Sequence, residues 1–447
     1  MDTESATQYA AYIGIDWADK DHAYALRATE GKKVEQGKVE AKPEAIEEFV
    51  AQLRQRFGGK AIAVALEQSR GSLLFTLSKY DHLVLYPVHS STLDSYRKAC
   101  HPSGAKSDPD DAALILDLLQ KHPEWLQPFA PDTVPTRTLQ FLTEERRDAV
   151  NDKTRYLNQL TAALKTYFPQ MLEWLDVDSK LMCEMLQRWP TLEQLQQQKP
   201  SVVEEFLREH RYPVVRVKPL QEAMEKAIPA TTDQAVIEAK KFTVQRTIAQ
   251  LEALRENIAE LDRRIEQITR LHEDYRVFAS LPCAGKVMVP RLIAAMGTQR
   301  DRFQTASELQ CQTGIAPVKE ASGQREWIHW RWACPKFLRQ TFVEWAWLST
   351  RKSQWAREFY DRQRAKDKSH HAAVRALAFK WQRIIFRCWK DRCPYDEARY
   401  LATREQRART AKASTDGSPQ LKSSQAGGVE IMWKNVSGFS RPDSISC

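Results

Sequence analysis

Apolar and polar positions along this chain follow two rhythms, and the change from one to the other divides it. Over residues 9–18 (YAAYIGIDWA) an apolar run gives way to HAYALRA and then KKVEQGKVE, with Lys, Asp and Gly between them. Short apolar or alternating runs bounded by turn residues predict strands, here three in a meander. From Lys42 to Phe57 the apolar residues Ala45, Ile46, Phe49, Val50 and Leu53 recur at helical spacing, and Gly58-Gly59 ends the helix. The run AIAVALE then predicts a buried strand. A helix after Gly71, a strand HLVLYPV and a helix around Ser91 to Lys98 follow.

Three strands followed by alternating helices and strands is the order of an RNase H-like fold, over residues 1–134. After Pro135 strand signals fade. TLQFLTEERRDAVNDKTRYLNQLTAALKTYF reads as one amphipathic helix broken near Pro169, and helices dominate to about Pro213. Val244, Ile248, Leu251, Leu254, Ile258, Leu261, Ile265, Ile268 and Leu271 then recur at steps of three and four, which predicts a coiled coil or a long helix packed on its own domain. The segment 135–276 is therefore helical and coiled-coil. Globular composition returns over 277–400, in a mostly helical domain with a tryptophan-rich stretch from Trp327 to Trp347. Residues 401–447, rich in Ser, Gly, Lys and Gln beyond Arg409, are expected to be a disordered basic tail. The fold class is thus α/β plus mostly α.

Composition narrows the function. With 67 Lys and Arg against 58 Asp and Glu, the net charge of +9 suits a polyanionic partner. The eight cysteines form no CxxC pair, which argues against a zinc site and for a reducing cytoplasm. The N-terminus has no basic and apolar leader, and no run of about 18 apolar residues occurs, so a cytoplasmic protein without a membrane partner is expected.

Four acids stand out against this background. Asp16 ends the first apolar strand in GIDWA, and Glu67 ends AIAVALE. In KSDPDDAALILDLL, Pro109 suits a first helical turn and Asp108 its N-cap, which puts Asp108 and Asp111 on one face. Carboxylates gathered closely repel one another unless a cation sits among them, and hard oxygen donors favour Mg²⁺, or Mn²⁺. Two such ions about 3.5–4 Å apart can activate an attacking oxygen and stabilise a leaving one in phosphoryl transfer. Taken singly, each acid also fits a turn or a cap.

These residues resemble the DEDD transposases of insertion sequences, also called bridge-RNA-guided recombinases and related to the Piv-type DNA invertases. GIDWA, the Glu67 strand and KSDPDDA are similar to that family's RuvC-like domain, and the resemblance runs from about Tyr9 to Asp396. FASLPCAGKVMVPRLIAAMG and DRFQTASELQCQTGIAPVKEASGQ resemble its second domain, in which a serine followed by glycine attacks DNA. The resemblance implies that Asp16, Glu67, Asp108 and Asp111 bind Mg²⁺ and that Ser322, followed by Gly323, forms a phosphoserine with the cut strand. It also implies donor and target duplex DNA and a guiding noncoding RNA as partners, a homodimer or homotetramer, and a place at the nucleoid of the bacterial cytoplasm. Two motifs depart from the family pattern. Pro282-Cys283-Ala284-Gly285 stands where the family has P-G-x-G, and Ala333-Cys334-Pro335-Lys336-Phe337 stands where it has S-K-x-G-N.

Arg325, Trp327, His329, Trp330, Arg331 and Trp332 interleave cations with aromatics, as suits phosphate contacts and base stacking, although strand tryptophans also fill cores. The basic segment Arg362 to Arg387 has an apolar face through Ala373, Leu377, Trp381 and Ile385, and Lys336, Lys366, Lys368 and Arg375 are candidate phosphate contacts. Two other readings stay open: a RuvC-like metal-dependent nuclease without a covalent intermediate, and a non-catalytic nucleic-acid-binding scaffold.

Overall fold

The structure is a computed structural model that describes residues 9–67, 71–100, 107–322 and 325–416. The chain folds as two compact units, Met1–Pro131 and Asp132–Cys447.

In the first unit the meander is β1 (Ala11–Asp16), β2 (Asp21–Ala28) and β3 (Glu35–Glu40), followed by α1 (Pro43–Arg56) and β4 (Ile62–Leu66). Then come α2 (Ser72–Leu77), β5 (Leu83–Pro87), α3 (Ser90–Cys100) and α4 (Asp108–Lys121). Helix α1 starts with Pro43, which needs no amide partner in a first turn, and stops where Gly58 and Gly59 take φ of +62° and +70°. The sheet order is β3-β2-β1-β4-β5, with β2 antiparallel to both neighbours and β1, β4 and β5 parallel.

The period-two alternation of the strands splits the sheet into two different faces. Ile13, Ile15, Leu26, Ile62, Val64 and Leu66 face α1 and α2. The opposite face is built of small residues: Ala23 and Ala25 pack with Ala112 and Leu116 of α4, and Ala63 and Ala65 pack with its Leu114, Ile115 and Leu118. Gly14 lies on this second face, where a Cβ would collide with the Ala112 carbonyl and the Leu116 amide. Glycine there lets α4 lie directly on β1.

The second unit is almost wholly helical. The helix predicted before Pro169 is α5 (Val134–Tyr167), and α6 (Gln170–Trp174), α7 (Lys180–Arg188), α8 (Leu192–Gln196), α9 (Pro200–Glu209) and α10 (Val214–Lys226) lead to α11 (Gln234–Leu271). Next are α12 (Tyr275–Ala279), α13 (Gly285–Met296) and α14 (Ala306–Gln312), a hairpin of β6 (Val318–Ser322) and β7 (Arg325–His329), and α15 (Lys336–Ser349). Helices α16 (Gln354–Arg364), α17 (His370–Lys390) and α18 (Glu397–Asp416) complete it.

The apolar row read as a coiled-coil seam is taken up largely within the chain. Val244, Ile248 and Leu251 of α11 share a core with Leu160 and Leu164 of α5, and Ile265 shares a second core with Leu139, so the two helices pair antiparallel. Leu254 and Ile258, between these cores, are only half-buried. The second core is filled by Trp345, Trp355, Trp381 and Trp389, all fully buried.

Two expectations are corrected here. The basic segment from Arg362 is not one helix, because α16 ends at Arg364 and a turn with Asp367 at φ +56° precedes α17. The tail expected to be disordered from residue 401 begins as the helix α18, an Ala-, Arg- and Glu-rich stretch without Gly or Pro whose Tyr400 and Leu401 pack on the second core. Residues 417–447, the rest of that expected tail, lie outside the described residues. Among the described residues no helix is long and apolar enough to cross a membrane, and none of the seven described cysteines is in a disulfide.

Candidate functional site

Asp16 and Glu67 are brought side by side by strand register. Ile15 of β1 pairs with Leu66 of parallel β4, so the two acids are the next residues at the carboxyl ends of adjacent strands. Asp16 also pairs with Ala23 of β2, which packs against Ala112 and Leu116 of α4. Side chains of directly paired residues share a face, so Asp16 projects to the side of the sheet on which α4 lies. Both acids are half-buried.

The direction of α4 brings its acidic first turn to the same end. Arg27, which pairs with Tyr12 near the start of β1, donates to Gln120 Oε1 at 3.4 Å in the last turns of α4. The first turn therefore lies toward Asp16. Its cap differs from the expectation: Ser107, not Asp108, is the N-cap, and its hydroxyl accepts from the Asp110 amide at 3.4 Å. A serine offers an acceptor of the right length, and its hydroxyl in turn donates to Asp110 Oδ2 at 2.5 Å, three residues on. Asp108 is then a first-turn residue, exposed, whereas Asp111 is only 2% exposed.

Asp111 is engaged by a residue that nothing in the sequence singles out. Arg97 of α3 places Nε at 3.1 Å and Nη2 at 3.0 Å from Asp111 Oδ1, and its Nη1 at 2.6 Å from Asp94. Burial works against the Arg97 charge, but Asp111 and Asp94 outweigh it and hold its pKa above the ordinary guanidinium value. The four predicted ligands are hard carboxylate donors on one side of one sheet, which is the right chemistry for a divalent cation. Their spacing does not fit one: among the described residues no group of three or more His, Cys, Asp or Glu side chains is gathered closely enough to hold a metal ion. The expected four-acid convergence is thus incomplete, with Asp111 paired to Arg97 and Asp108 turned to solvent.

Ser322 belongs to the second unit, where it is exposed at the end of β6 and pairs directly with Arg325 of β7. Residues 323 and 324, including the expected Gly323, lie outside the described residues. Glu320 pairs with Trp327 and Val318 with His329, so Ser322, Arg325, Trp327 and His329 share one face of the hairpin. His329 bonds to Glu320 Oε1 at 2.8 Å and to the Trp330 carbonyl at 2.6 Å, and these two acceptors raise its pKa.

The aromatic and basic residues divide into two sets. Trp327 is 47% and Trp332 is 75% exposed, and Arg325, Lys336 and Lys366 are exposed as well. Arg375, expected on the outer face, is instead 3% exposed with its guanidinium against the Trp330 ring, and Arg339 approaches the same ring at 5.4 Å. Position in the helix explains the correction: Arg375 follows Val374 and sits one turn before Ala378, all of them buried. Arg331 is half-buried and donates toward Cys311 Sγ at 3.8 Å, and Lys368 is half-buried and donates to Gln363 at 2.7 Å. Cys283, in the position of a family glycine, has φ +56°, and Gly285 follows at +53°. The backbone conformation a glycine would favour is kept without the glycine.

Comparison with known proteins matches both units to one family. The DEDD transposase model of that family covers residues 13–169, and the model described as transposase IS116/IS110/IS902 family covers residues 275–361. The chain is 24% identical over 409 residues to the mini-circle putative transposase for IS117 of Streptomyces coelicolor, spanning 88% of this chain and 96% of that protein. It is 25% identical over 405 residues to the IS900 uncharacterized 42 kDa protein of Mycobacterium paratuberculosis, spanning 87% and 97%. With the IS110 uncharacterized 43.6 kDa protein of Streptomyces coelicolor it shares 23% over 410 residues, spanning 89% and 97%. With acids at the strand ends of its first unit and relatives matched along nearly their whole length, the chain belongs to the IS110/IS116/IS902 family of DEDD-type insertion-sequence transposases, whose substrates are DNA.

Proposed function

We propose that this transposase is a site-specific DNA recombinase that cuts and rejoins strands through a phosphoserine at Ser322. The observation that carries the reading is the adjacency of Asp16 and Glu67 at the ends of parallel strands, on the face that also carries the first turn of α4. The sheet order 3-2-1-4-5 with an antiparallel second strand supports an RNase H-like, RuvC-like domain. Asp16, Glu67, Asp108 and Asp111 are the residues that would hold Mg²⁺, or Mn²⁺, and hard-oxygen chemistry supports that choice over softer metals.

In the covalent step the Ser322 Oγ–P bond forms as one P–O ester bond of the DNA backbone breaks, and the serine proton passes to the released sugar oxygen. The phosphoserine keeps the ester-bond energy, so rejoining needs no ATP. Exposure of Ser322 at the hairpin end, opposite Arg325, supports its reach to a phosphate. Exposed Trp327 and Trp332 offer stacking faces, and Arg325, Lys336 and Lys366 offer phosphate contacts.

The partners are donor and target duplex DNA and a structured noncoding RNA that pairs with both, so that base pairing supplies the sequence specificity. Net positive charge is consistent with all three. Assembly is a dimer or a dimer of dimers joined along Val244 to Leu271, where half-buried Leu254 and Ile258 leave an apolar strip for a second helix. The enzyme works in the bacterial cytoplasm, at the nucleoid.

The deciding experiment incubates the protein with DNA of its element ends and Mg²⁺, denatures the mixture and looks for DNA covalently attached to protein. An adduct in wild type and its loss in Ser322→Ala is the expected result. Cutting that persists in Ser322→Ala without any adduct in wild type would replace the recombinase by a hydrolytic nuclease.

A further inference from the structure

The Arg97–Asp111 pair links two elements that the sequence joins only through residues 101–107. Arg97 lies in the last turn of α3 and Asp111 in the first turn of α4, and Tyr96 beside it donates to Asp117 Oδ2 at 2.7 Å one helix turn and a half further on. The two contacts set the position of α3 along α4. Asp111 is almost wholly buried, and a buried carboxylate needs a counter-charge or it neutralises. The counter-charge here is a guanidinium with two nitrogens on one carboxylate oxygen, Oδ1.

We infer that Arg97 is a latch: it holds Asp111 in place of a cation, and the pair must open before Asp111 can join Asp16 and Glu67. The inference rests on the carboxylate reading given above and explains why the four acids, although on one side of one sheet, do not close into a site. Asp94 makes the latch reversible. It bonds the same guanidinium from one turn earlier on α3, at 2.6 Å, so Arg97 released from Asp111 has an anchor waiting and is not left without a partner. Arg97 is therefore a positioning residue. It acts through Asp111 and touches no reacting atom.

The test measures Mn²⁺ binding to the full-length protein by calorimetry, without DNA, in wild type, Arg97→Gln and Arg97→Lys, with circular dichroism melting of each with and without Mn²⁺. Removing a competing cation at hydrogen-bond distance should tighten Mn²⁺ binding in Arg97→Gln by on the order of tenfold. Arg97→Lys keeps the charge but loses the forked contact, so its affinity should fall between the other two. Without metal Arg97→Gln should melt below wild type, and Mn²⁺ should raise its melting temperature by more than it raises that of wild type. A folded Arg97→Gln that binds Mn²⁺ no more tightly than wild type overturns the latch while leaving the carboxylate site intact. Should Arg97→Gln fail to fold, Arg97→Lys with unchanged affinity has the same consequence. Absence of Mn²⁺ binding from all three overturns the carboxylate reading itself, and the latch with it.

Discussion

The guanidinium of Arg375 lies against the indole ring of Trp330, buried between α17 and the segment that follows the Ser322 hairpin. Burial, with Arg339 adding repulsion, pushes the Arg375 pKa down to about 9, so it remains a cation at neutral pH. A desolvated cation over an indole ring contributes about 2 kcal/mol. That energy fixes the hairpin base rather than a nucleic acid.

Arg375→Leu should therefore destabilise the protein by about 2 kcal/mol and leave the salt dependence of DNA binding by the folded protein unchanged. Arg325→Ala should do the reverse, with stability within about 0.5 kcal/mol of wild type and the salt slope reduced by about one. Urea unfolding and DNA titrations at several salt concentrations measure both. A reduced slope in Arg375→Leu would return that residue to the binding surface.

Gly14→Ala places a methyl group against the backbone of α4, where no side chain can yield. Overpacking of this kind costs about 1–3 kcal/mol. Because the displaced helix begins with Asp108 and Asp111, DNA cleavage should fall more than the stability loss accounts for. Urea unfolding and cleavage rates measured on the same preparation separate the two effects.

Cys283→Gly should stabilise the protein by about 0.5–1 kcal/mol. A non-glycine residue in the left-handed region costs about 1–2 kcal/mol, which exceeds the extra unfolded-state entropy of glycine. Cys283 is in that region at φ +56°. A lower urea midpoint for the variant would mean that the packing of the thiol outweighs the backbone strain.

The His329–Glu320 pair should make the hairpin sensitive to pH. The hydrogen bond to Glu320 and the one to the Trp330 carbonyl raise the His329 pKa from 6.5, so its contribution is complete below 6.5 and is lost as pH rises through the raised value. Glu320 is lowered from 4.5, first by its bond to His329, so its contribution is complete above 4.5 and is lost as pH falls through the lowered value. The pair is fully formed between those limits. An NMR titration of the His329 ring should give a midpoint above 6.5, returning toward 6.5 in Glu320→Gln.

Much of the first unit was legible because its strands alternate so regularly. Asp16 and Glu67 could be read as strand-end acids because each closes an apolar run, and the described structure has them as neighbours. Asp108 and Ser107 are equally good cap formers by sequence, and only backbone geometry chooses between them. In the second unit, the heptad-like row of α11 could not reveal its partner, since α5 of the same chain satisfies the same spacing. The burial of Arg375 is hidden from the sequence for a related reason. A charged residue in a helix is expected to face water, and its burial under Trp330 depends on a strand-to-helix segment more than 40 residues earlier in the chain.

The sequence by itself determined the element order of the first unit, the acids that end β1 and β4, the acidic start of α4 and the family these imply, because periodicity and strand-end chemistry are local properties. Only the tertiary structure decided that Ser322 faces Arg325 across a hairpin, that Arg375 is part of a core and that Asp111 is held by Arg97. Each of these is a choice of partner. A partner is fixed by which faces and strands meet, and that is set by register and helix packing rather than by the residues on either side.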